Sequence, residues 1–217
     1  MSAQGGEVVG IAVLSLKIAL TATVIACLLG IPLGFYLGWT RFAGRRVLLA
    51  LLNTALALPT VVIGLLIYLL LARRGPLGAL GMLYTWQAIV VAEVVLALPI
   101  ATALSAAAIQ AVDPRVRRTA LTLGAGRLRT AWTVAREARF ALLAGVVVAF
   151  GRVLSEVGAA LMVGGNVRHE TRTLTTAITL ATSQGEFGLA VALGLILLAL
   201  ALTVSVLIQL LQGHGDV

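Results

Sequence analysis

Residues 113–139, DPRVRRTALTLGAGRLRTAWTVAREAR, form the one long polar stretch in an otherwise apolar chain. The stretch carries seven arginines and two acidic residues. Because basic connections of membrane proteins stay on the cytoplasmic side, we expect it to lie in water there. Asp113 and Pro114 are typical of a helix start, and Gly124-Ala125-Gly126 is typical of a tight turn. The stretch therefore predicts two short helices around a corner.

The rest of the chain has the composition of a membrane protein. Of its 217 residues, 60% are hydrophobic and 11% are charged, and the mean hydropathy is +1.08. This is too apolar for a soluble domain, in which about 45–50% of residues are apolar. We expect an all-α polytopic membrane protein with a single domain over residues 1–217. The net charge of +8 comes mainly from arginines between apolar runs, which favours an orientation signal over nucleic-acid binding.

Several chemistries lack the residues that they need. Cys27 is the one cysteine, so a disulfide and a thiolate metal site are excluded and we interpret it as a packing residue. No G-x-x-x-x-G-K-[ST] loop occurs, and the one lysine is Lys17, so ATP hydrolysis would need another subunit. We expect Lys17 to extend toward the outer interface. The first apolar run lacks a preceding basic region, so we expect it to remain as a membrane helix.

Five apolar runs reach the roughly 20 residues that a membrane-spanning helix needs. They cover approximately residues 8–39, 47–72, 84–112, 140–163 and 187–211. In the first, the GIPLG segment at residues 30–34 should kink the helix or let another helix approach closely. Ten arginines lie in the first and third connections and four in the second and fourth. This imbalance predicts an N-terminus outside and a C-terminus in the cytoplasm.

Two spans contain a proline after the same Ala-Leu pair, Pro59 and Pro99. A proline frees a carbonyl from the helical ladder, which lipid tolerates only where neighbouring groups or a water-lined path satisfy it. Paired breaks of this kind predict a translocation path, and ordinary kinks that tune helix packing are the alternative. Glu93 is expected to face the bundle interior.

The fourth span ends in the sequence GRVLSEVGAALMVGGN, residues 151–166. Arg152 and Glu156 are four residues apart and would share a helical face, where an ion pair lowers the cost of each charge in the membrane. Structural pairing and a place on a translocation path both remain open for them. After this span, residues 171–183 are threonine-rich and too short to cross a membrane, which predicts an interfacial helix or re-entrant segment. An ordinary loop helix is the alternative.

One motif resembles a known family. Thr119-Ala120, Leu123-Gly124-Ala125 and Trp132 resemble the cytoplasmic "EAA…G" loop of ABC importer permeases, whose short helix sits in a groove on the ATPase subunit. Arg118 stands where the family usually has Glu, and Glu137 where many members have Pro. The alanine and glycine that permit close backbone approach are in place. A solvated basic loop is the alternative.

A second motif sharpens the resemblance. SEVGAALMVGGN at residues 155–166, followed by TRTLTTAI at 171–178, looks like the permeases of tungstate importers. It is less specifically similar to molybdate and sulfate permeases. The likeness runs from about residue 51 to 211 and is strongest over 111–177. It implies a type I ABC importer transmembrane domain with about five helices, a coupling loop at about 113–139 and an outer gate at about 164–186.

The resemblance also implies partners and site residues. It implies a homodimer in the inner membrane of a prokaryote, two cytoplasmic ATPase subunits that hold ATP and Mg, and an extracytoplasmic binding protein. No cofactor, metal or nucleic acid would bind this chain. The ATPase-docking residues would be Arg118, Thr119, Ala120, Leu123, Gly124 and Ala125. The translocation path or gate would contain Pro59, Pro99, Arg152, Glu156, Gly164, Gly165, Asn166, Thr175 and Thr176.

Two other classes of protein fit less well. A membrane hydrolase needs a nucleophile and a base, but Ser155 has no G-x-S-x-G context. His169 and His214 would lie on opposite sides of the membrane, so they could not share a metal. A passive channel or scaffold needs no docking loop. We therefore predict a non-enzymatic permease of an ATP-driven importer that works by alternating access on a tetrahedral oxyanion, tungstate first and molybdate or sulfate as alternatives.

Overall fold

The computed structural model describes residues 2–213, which form helices and no strands. His214 and the expected cytoplasmic C-terminus lie outside the described residues. One short 3-10 turn, Gly78–Leu80, accompanies the α-helices. In chain order these are α1 (Ser2–Trp39), α2 (Arg45–Ala55), α3 (Thr60–Leu71), α4 (Trp86–Ala111), α5 (Pro114–Thr122), α6 (Arg127–Glu137), α7 (Arg139–Leu154), α8 (Gly158–Gly164), α9 (Leu174–Ser183) and α10 (Phe187–Gly213).

Within the described residues, three helices are long and apolar enough to cross a membrane alone, namely α1, α4 and α10. Two bent pairs, α2 with α3 and α7 with α8, bring the number of spans to five if each pair counts as one. Each of the five predicted apolar runs coincides with one of these spans. The prediction of an all-α polytopic membrane protein with about five spans is therefore confirmed.

The second span is broken at Pro59, where α2 and α3 meet at 97°. Pro59 has φ −63° and ψ 119° and begins α3. Its ring removes a backbone donor and disfavours helical geometry in the preceding residue, which ends α2. Pro99 behaves differently, because it lies inside α4, which stays helical throughout. The expectation of two equivalent breaks is therefore wrong at Pro99.

Helix α4 packs closely along α1. Three glycines one turn apart, Gly30, Gly34 and Gly38, face α4. A Cβ on Gly30 would lie 2.7 Å from the Cβ of Ala101, and one on Gly38 would lie 2.8 Å from the Cβ of Ile109. The contacts advance in the same direction along both helices, so α1 and α4 are parallel. The predicted close approach at GIPLG is confirmed, and α1 remains one helix.

Two single residues of α1 lie where the sequence predicted. The Nζ of Lys17 lies 3.8 Å from the centroid of the Trp86 ring, at the start of α4 and so at the end of the bundle away from residues 113–139. Cys27 is buried and unpaired, as expected of a packing residue.

The fourth span bends by 55° between α7 and α8. The expectation that Arg152 and Glu156 share one helical face is wrong in this detail, because α7 ends at Leu154 and Glu156 lies in the break. At the break, the backbone carbonyl of Glu156 accepts a hydrogen bond from a side chain that is distant in sequence. The Oγ1 of Thr175 donates to the carbonyl oxygen of Glu156 at 2.7 Å.

The connections gather at two ends of the bundle. At what we call the basic end, the guanidinium carbon of Arg117 lies 4.2 Å from the centroid of the Trp39 ring, so the first and third connections lie together. At what we call the far end, the Nε of Arg168 donates to the Oε1 of Glu7 at 2.7 Å. This contact ties the start of α1 to the fourth connection. The ends are therefore arranged as five alternating crossings require.

Candidate docking surface and translocation path

The polar stretch folds into the two predicted helices, α5 and α6, around a glycine corner. The Oδ1 of Asp113 accepts a hydrogen bond from the backbone N of Arg115 at 2.8 Å and so caps α5, with Pro114 at its first position. Gly124 has φ +81°, a backbone conformation that favours glycine. Gly126 then precedes α6.

The six residues predicted to dock on an ATPase lie together on α5 and the corner after it. Four of them line a cleft of about 570 Å³ between α5 and α6, namely Thr119, Ala120, Leu123 and Ala125. Leu123 is 82% exposed, and Arg118 is also exposed. A Cβ built on Gly124 has no atom within 4 Å, so nothing within the described chain covers the corner. An apolar side chain displayed among arginines suits contact with another protein.

The two broken spans touch each other at their breaks. A Cβ on Gly158, the first residue of α8, would lie 2.7 Å from the Cγ2 of Val61 in α3. A Cβ on Gly64 of α3 would lie 2.7 Å from the Cα of Ala159 in α8. Glycine at both positions lets the two short helices pack backbone to backbone. The bend at Pro59 therefore lies beside the bend in the fourth span.

Glu156 lies at the centre of this contact and is 4% exposed. The Nη1 of Arg152 donates to its Oε2 at 2.6 Å, which is the predicted ion pair. Its Oε1 accepts from the backbone N of Ala159 at 3.0 Å. Thr60, the first residue of α3, lies next to this site, because a Cβ on Gly158 would lie 3.0 Å from its Oγ1. We call these residues, with Thr175, the Glu156 junction. It links α3, α7, α8 and α9.

A second carboxylate adjoins the Glu156 junction. Glu93 of α4 is 2% exposed, as predicted for an acid that faces the bundle interior. It lies close enough to Glu156 and Arg152 to interact electrostatically with both. Its Oε2 has no hydrogen-bond partner among the described residues. Two acids therefore face one arginine, whose side chain is 36% exposed.

The fourth span ends in a left-handed turn. Gly165 has φ +67° and Asn166 has φ +52°, both left-handed. A Cβ on Gly165 would lie 2.7 Å from the Cδ1 of Tyr84, and the backbone N of Tyr84 donates to the Val163 carbonyl oxygen at 3.0 Å. The turn is thus packed against the start of the third span, and only glycine fits at Gly165 without displacing the tyrosine.

The threonine-rich segment forms the predicted short helix, α9. Thr173 and Thr176 cap its start reciprocally, each side chain accepting from the backbone N of the other. The Oγ1 of Thr171 donates to the carbonyl oxygen of Gly164 at 2.6 Å, and the Nδ2 of Asn166 donates to that of Thr176 at 3.4 Å. The segment is packed against apolar residues of α1 and α10. These threonines therefore hold the far end of the fourth span in place.

The structure brings four of the nine predicted path residues to the Glu156 junction and four others to the turn and the start of α9. Arg152, Glu156 and Thr175 meet at the junction, and Pro59 directly precedes Thr60 there. Pro99 lies in the middle of α4. Sequence reasoning missed Thr60, Tyr84 and Thr171, although a hydroxyl immediately after a predicted proline break was a usable signal for Thr60.

Comparisons with known proteins agree with this architecture. The family model described as "Binding-protein-dependent transport system inner membrane component" matches residues 30–214, and the chain belongs to this family. It is 37% identical over 206 residues to the tungstate uptake system permease protein TupB of Peptoclostridium acidaminophilum, covering 95% of this chain and 90% of the relative. It is 33% identical over 187 residues to the molybdenum transport system permease protein ModB of Escherichia coli K12, covering 80% of this chain and 82% of the relative.

A solved structure shares the fold. The crystal structure of an amino acid ABC transporter with histidines superposes with a TM-score of 0.73 at 20% identity, covering 99% of this chain and 96% of that chain. The predicted type I ABC importer transmembrane domain is therefore confirmed, as is the resemblance to the tungstate, molybdate and sulfate group of permeases. The chain is a multi-pass membrane permease subunit.

Proposed function

We propose that this chain is the permease subunit of an ATP-driven importer for a tetrahedral oxyanion, with tungstate as the first candidate. The observation that carries the proposal is 37% identity to a tungstate uptake permease over nearly the whole chain. Molybdate is the second candidate, because a molybdenum transport permease is 33% identical. Sulfate is the third, because the sulfate transport permease CysT of Salmonella typhimurium is 30% identical over 82% of the chain.

The working importer would be a homodimer of this chain with two ATPase subunits and an extracytoplasmic binding protein. ATP and Mg would be held by the ATPase subunits, each docked at the α5 corner around Gly124 and Leu123. The arginine-rich basic end supports a cytoplasmic position for that corner in the inner membrane of a prokaryote. The N-terminus would then be outside, and residues 164–186 would form the gate region that meets the binding protein.

The architecture supports coupling between the docking corner and the path. Movement of the corner would pass along α6 into α7, which begins two residues after α6 ends. Arg152 lies 13 residues after the start of α7, so the helix would carry the motion about 20 Å to Arg152 and the adjoining Glu156 junction. There the bends beside Pro59 and Gly158 act as hinges, so α3 and α8 can tilt together. This is alternating access, in which ATP favours one of two states through differential affinity.

Arg152 is the residue best suited to meet the anion on this path. Its guanidinium has five N–H donors, of which Glu156 engages one, and the side chain is partly exposed. The neighbouring carboxylates weaken its attraction, which suits a path that must release its anion rather than trap it. Glu156 itself would serve mainly to hold the junction together.

Uptake in cells tests the proposal. A strain that lacks this permease would be complemented with the chain and its own ATPase and binding protein, and cellular tungsten would be measured after exposure to dilute tungstate. We expect complementation to restore accumulation, with excess molybdate competing more strongly than excess sulfate. Preferential accumulation of molybdate or sulfate would identify the alternative substrate. No change in any oxyanion would contradict the proposed function, and a channel or scaffold would then be the better assignment.

A further inference from the structure

A groove of about 850 Å³ runs between α6 and the basic end of α1. Its apolar walls come from Phe35 of α1 and from four residues of α6, namely Leu128, Ala131, Trp132 and Ala135. Two of these side chains are highly exposed, Leu128 at 87% and Trp132 at 72%. Large apolar side chains displayed to this degree mark a surface that normally contacts something other than water.

The groove lies on a different face of α6 from the candidate docking cleft. Its α6 residues recur at positions 128, 131, 132 and 135, which is the spacing of one helical face. The docking cleft between α5 and α6 uses Arg129 and Thr133 of α6, and only Arg129 borders both. A partner that fills the cleft between α5 and α6 therefore contacts a different face of α6 from the one that lines the groove.

The groove lies at the level where the spans end. Val134 and Ala138 pack in one apolar cluster with Ala108 and Ile109, near the end of α4, and with Trp39 at the end of α1. Helix α6 is thus held beside the last turns of two membrane spans. A helix with tryptophan and leucine on one face and arginines beside them is the type that lies among lipid headgroups.

The charged side chains that line the groove have one sign. Arg127 and Arg129 line it, both exposed, and among the described residues no acidic side chain does. Further along, Arg136, Glu137 and Arg139 are exposed but do not line the groove. An occupant that complements both the apolar wall and the arginines must carry a hydrocarbon part and a negative group.

We propose that this groove binds an anionic phospholipid of the adjoining leaflet. Its acyl chain would lie along Phe35, Leu128 and Trp132, and its phosphate would pair with Arg127 and Arg129. Each arginine near an anionic lipid favours binding by about fivefold, so the lipid would be held in preference to phosphatidylcholine. The proposal depends on membrane insertion of the chain and not on which oxyanion it carries.

Fluorescence quenching of Trp132 tests the proposal on the full-length chain. With Trp39→Phe and Trp86→Phe, Trp132 becomes the one tryptophan. The chain would be placed in phosphatidylcholine nanodiscs that contain either brominated phosphatidylglycerol or brominated phosphatidylcholine at the same fraction. We expect the brominated phosphatidylglycerol to quench at about 25-fold lower mole fraction, the product of about fivefold for each of the two arginines. Native mass spectrometry of the chain with its natural tryptophans should likewise retain phosphatidylglycerol in preference.

Two matched variants complete the test. Arg127→Gln with Arg129→Gln should abolish the preference for phosphatidylglycerol in both measurements. Arg73→Gln with Arg74→Gln removes two exposed arginines at the far end and should leave the preference unchanged. Equal quenching by both lipids, or an equal loss in both double variants, would overturn the proposal. The proposal would also be overturned if neither brominated lipid quenched the Trp132 fluorescence and only added ATPase subunit shielded Trp132 from solvent. That result would assign the groove to a protein partner.

Discussion

Replacing Arg152 or Glu156 by leucine should destabilise the fold unequally, because the two side chains have different numbers of partners. Removing one member of a buried ion pair costs about 3–5 kcal/mol when it leaves an uncompensated charge. After Arg152→Leu, the Glu156 carboxylate still accepts from the Ala159 backbone N. We therefore expect Arg152→Leu to lower the free energy of unfolding by a smaller amount, about 1–3 kcal/mol.

Glu156→Leu removes the acceptor that Arg152 and the Ala159 backbone N share. It leaves the Ala159 backbone N without its partner, and it also leaves Arg152 unpaired. We expect the free energy of unfolding to fall by about 3–5 kcal/mol. The double replacement removes both charges but still leaves the Ala159 backbone N without an acceptor, so we expect it to recover only part of the loss, to about 2 kcal/mol. In a chain of this length, each kcal/mol lowers Tm by about 2–4 °C.

Thermal stability of the purified chain, measured by size-exclusion chromatography after heating, provides the assay. Arg168→Leu is the matched control, because its ion pair with Glu7 is at the far end and its side chain is 62% exposed. That variant should lose less stability than any junction variant. Equal losses for Arg152→Leu and Glu156→Leu, or full recovery in the double variant, would refute the reasoning. A double variant that also transports normally would exclude both residues from the path.

Three further outcomes are expected. Gly64→Val should lower the free energy of unfolding by about 1–3 kcal/mol, because a Cβ at this position meets the backbone of α8. Gly194→Val is the control and should be tolerated, because a Cβ there has open space. The thermal stability of the two variants is compared. Gly124→Leu should leave the chain inserted but uncouple ATP hydrolysis from uptake, and normal coupling in the assembled complex would remove the corner from the docking surface. In a variant without its native cysteine, Arg74→Cys should react with an impermeant thiol reagent outside intact cells and Ala43→Cys should not; the reverse pattern would invert the topology.

Local physics explains which parts of the fold were predictable from sequence. Apolar runs of sufficient length predicted the spans because each must satisfy its own backbone in lipid. Asp113 and Gly124 predicted the cap and corner of the polar stretch because those residue types have strong local preferences. Pro59 predicted a break for the same reason. Each of these features depends on residues that are neighbours in sequence.

The junction was less predictable because its contacts join distant residues. No proline marks the bend near Glu156, where Thr175, 19 residues away, donates to the Glu156 backbone carbonyl. Pro99 was expected to break its helix, but α4 stays helical through it. Gly64 and Gly158 let α3 and α8 approach closely, which brings Thr60 beside Gly158. Contacts between residues that are distant in sequence thus determine the junction, and the hydrophobic periodicity of the sequence does not predict it.

Tungstate transport by the reconstituted complex tests the central claim most directly. The chain, its ATPase subunit and its binding protein would be assembled in proteoliposomes, with ATP supplied at the basic end and tungstate with binding protein on the opposite side. Elemental mass spectrometry would measure tungsten that crosses the membrane. The account predicts transport that requires both ATP and the binding protein, and that fails with Gly124→Leu while ATP hydrolysis continues. Tungstate flux that is equal with and without ATP would contradict it.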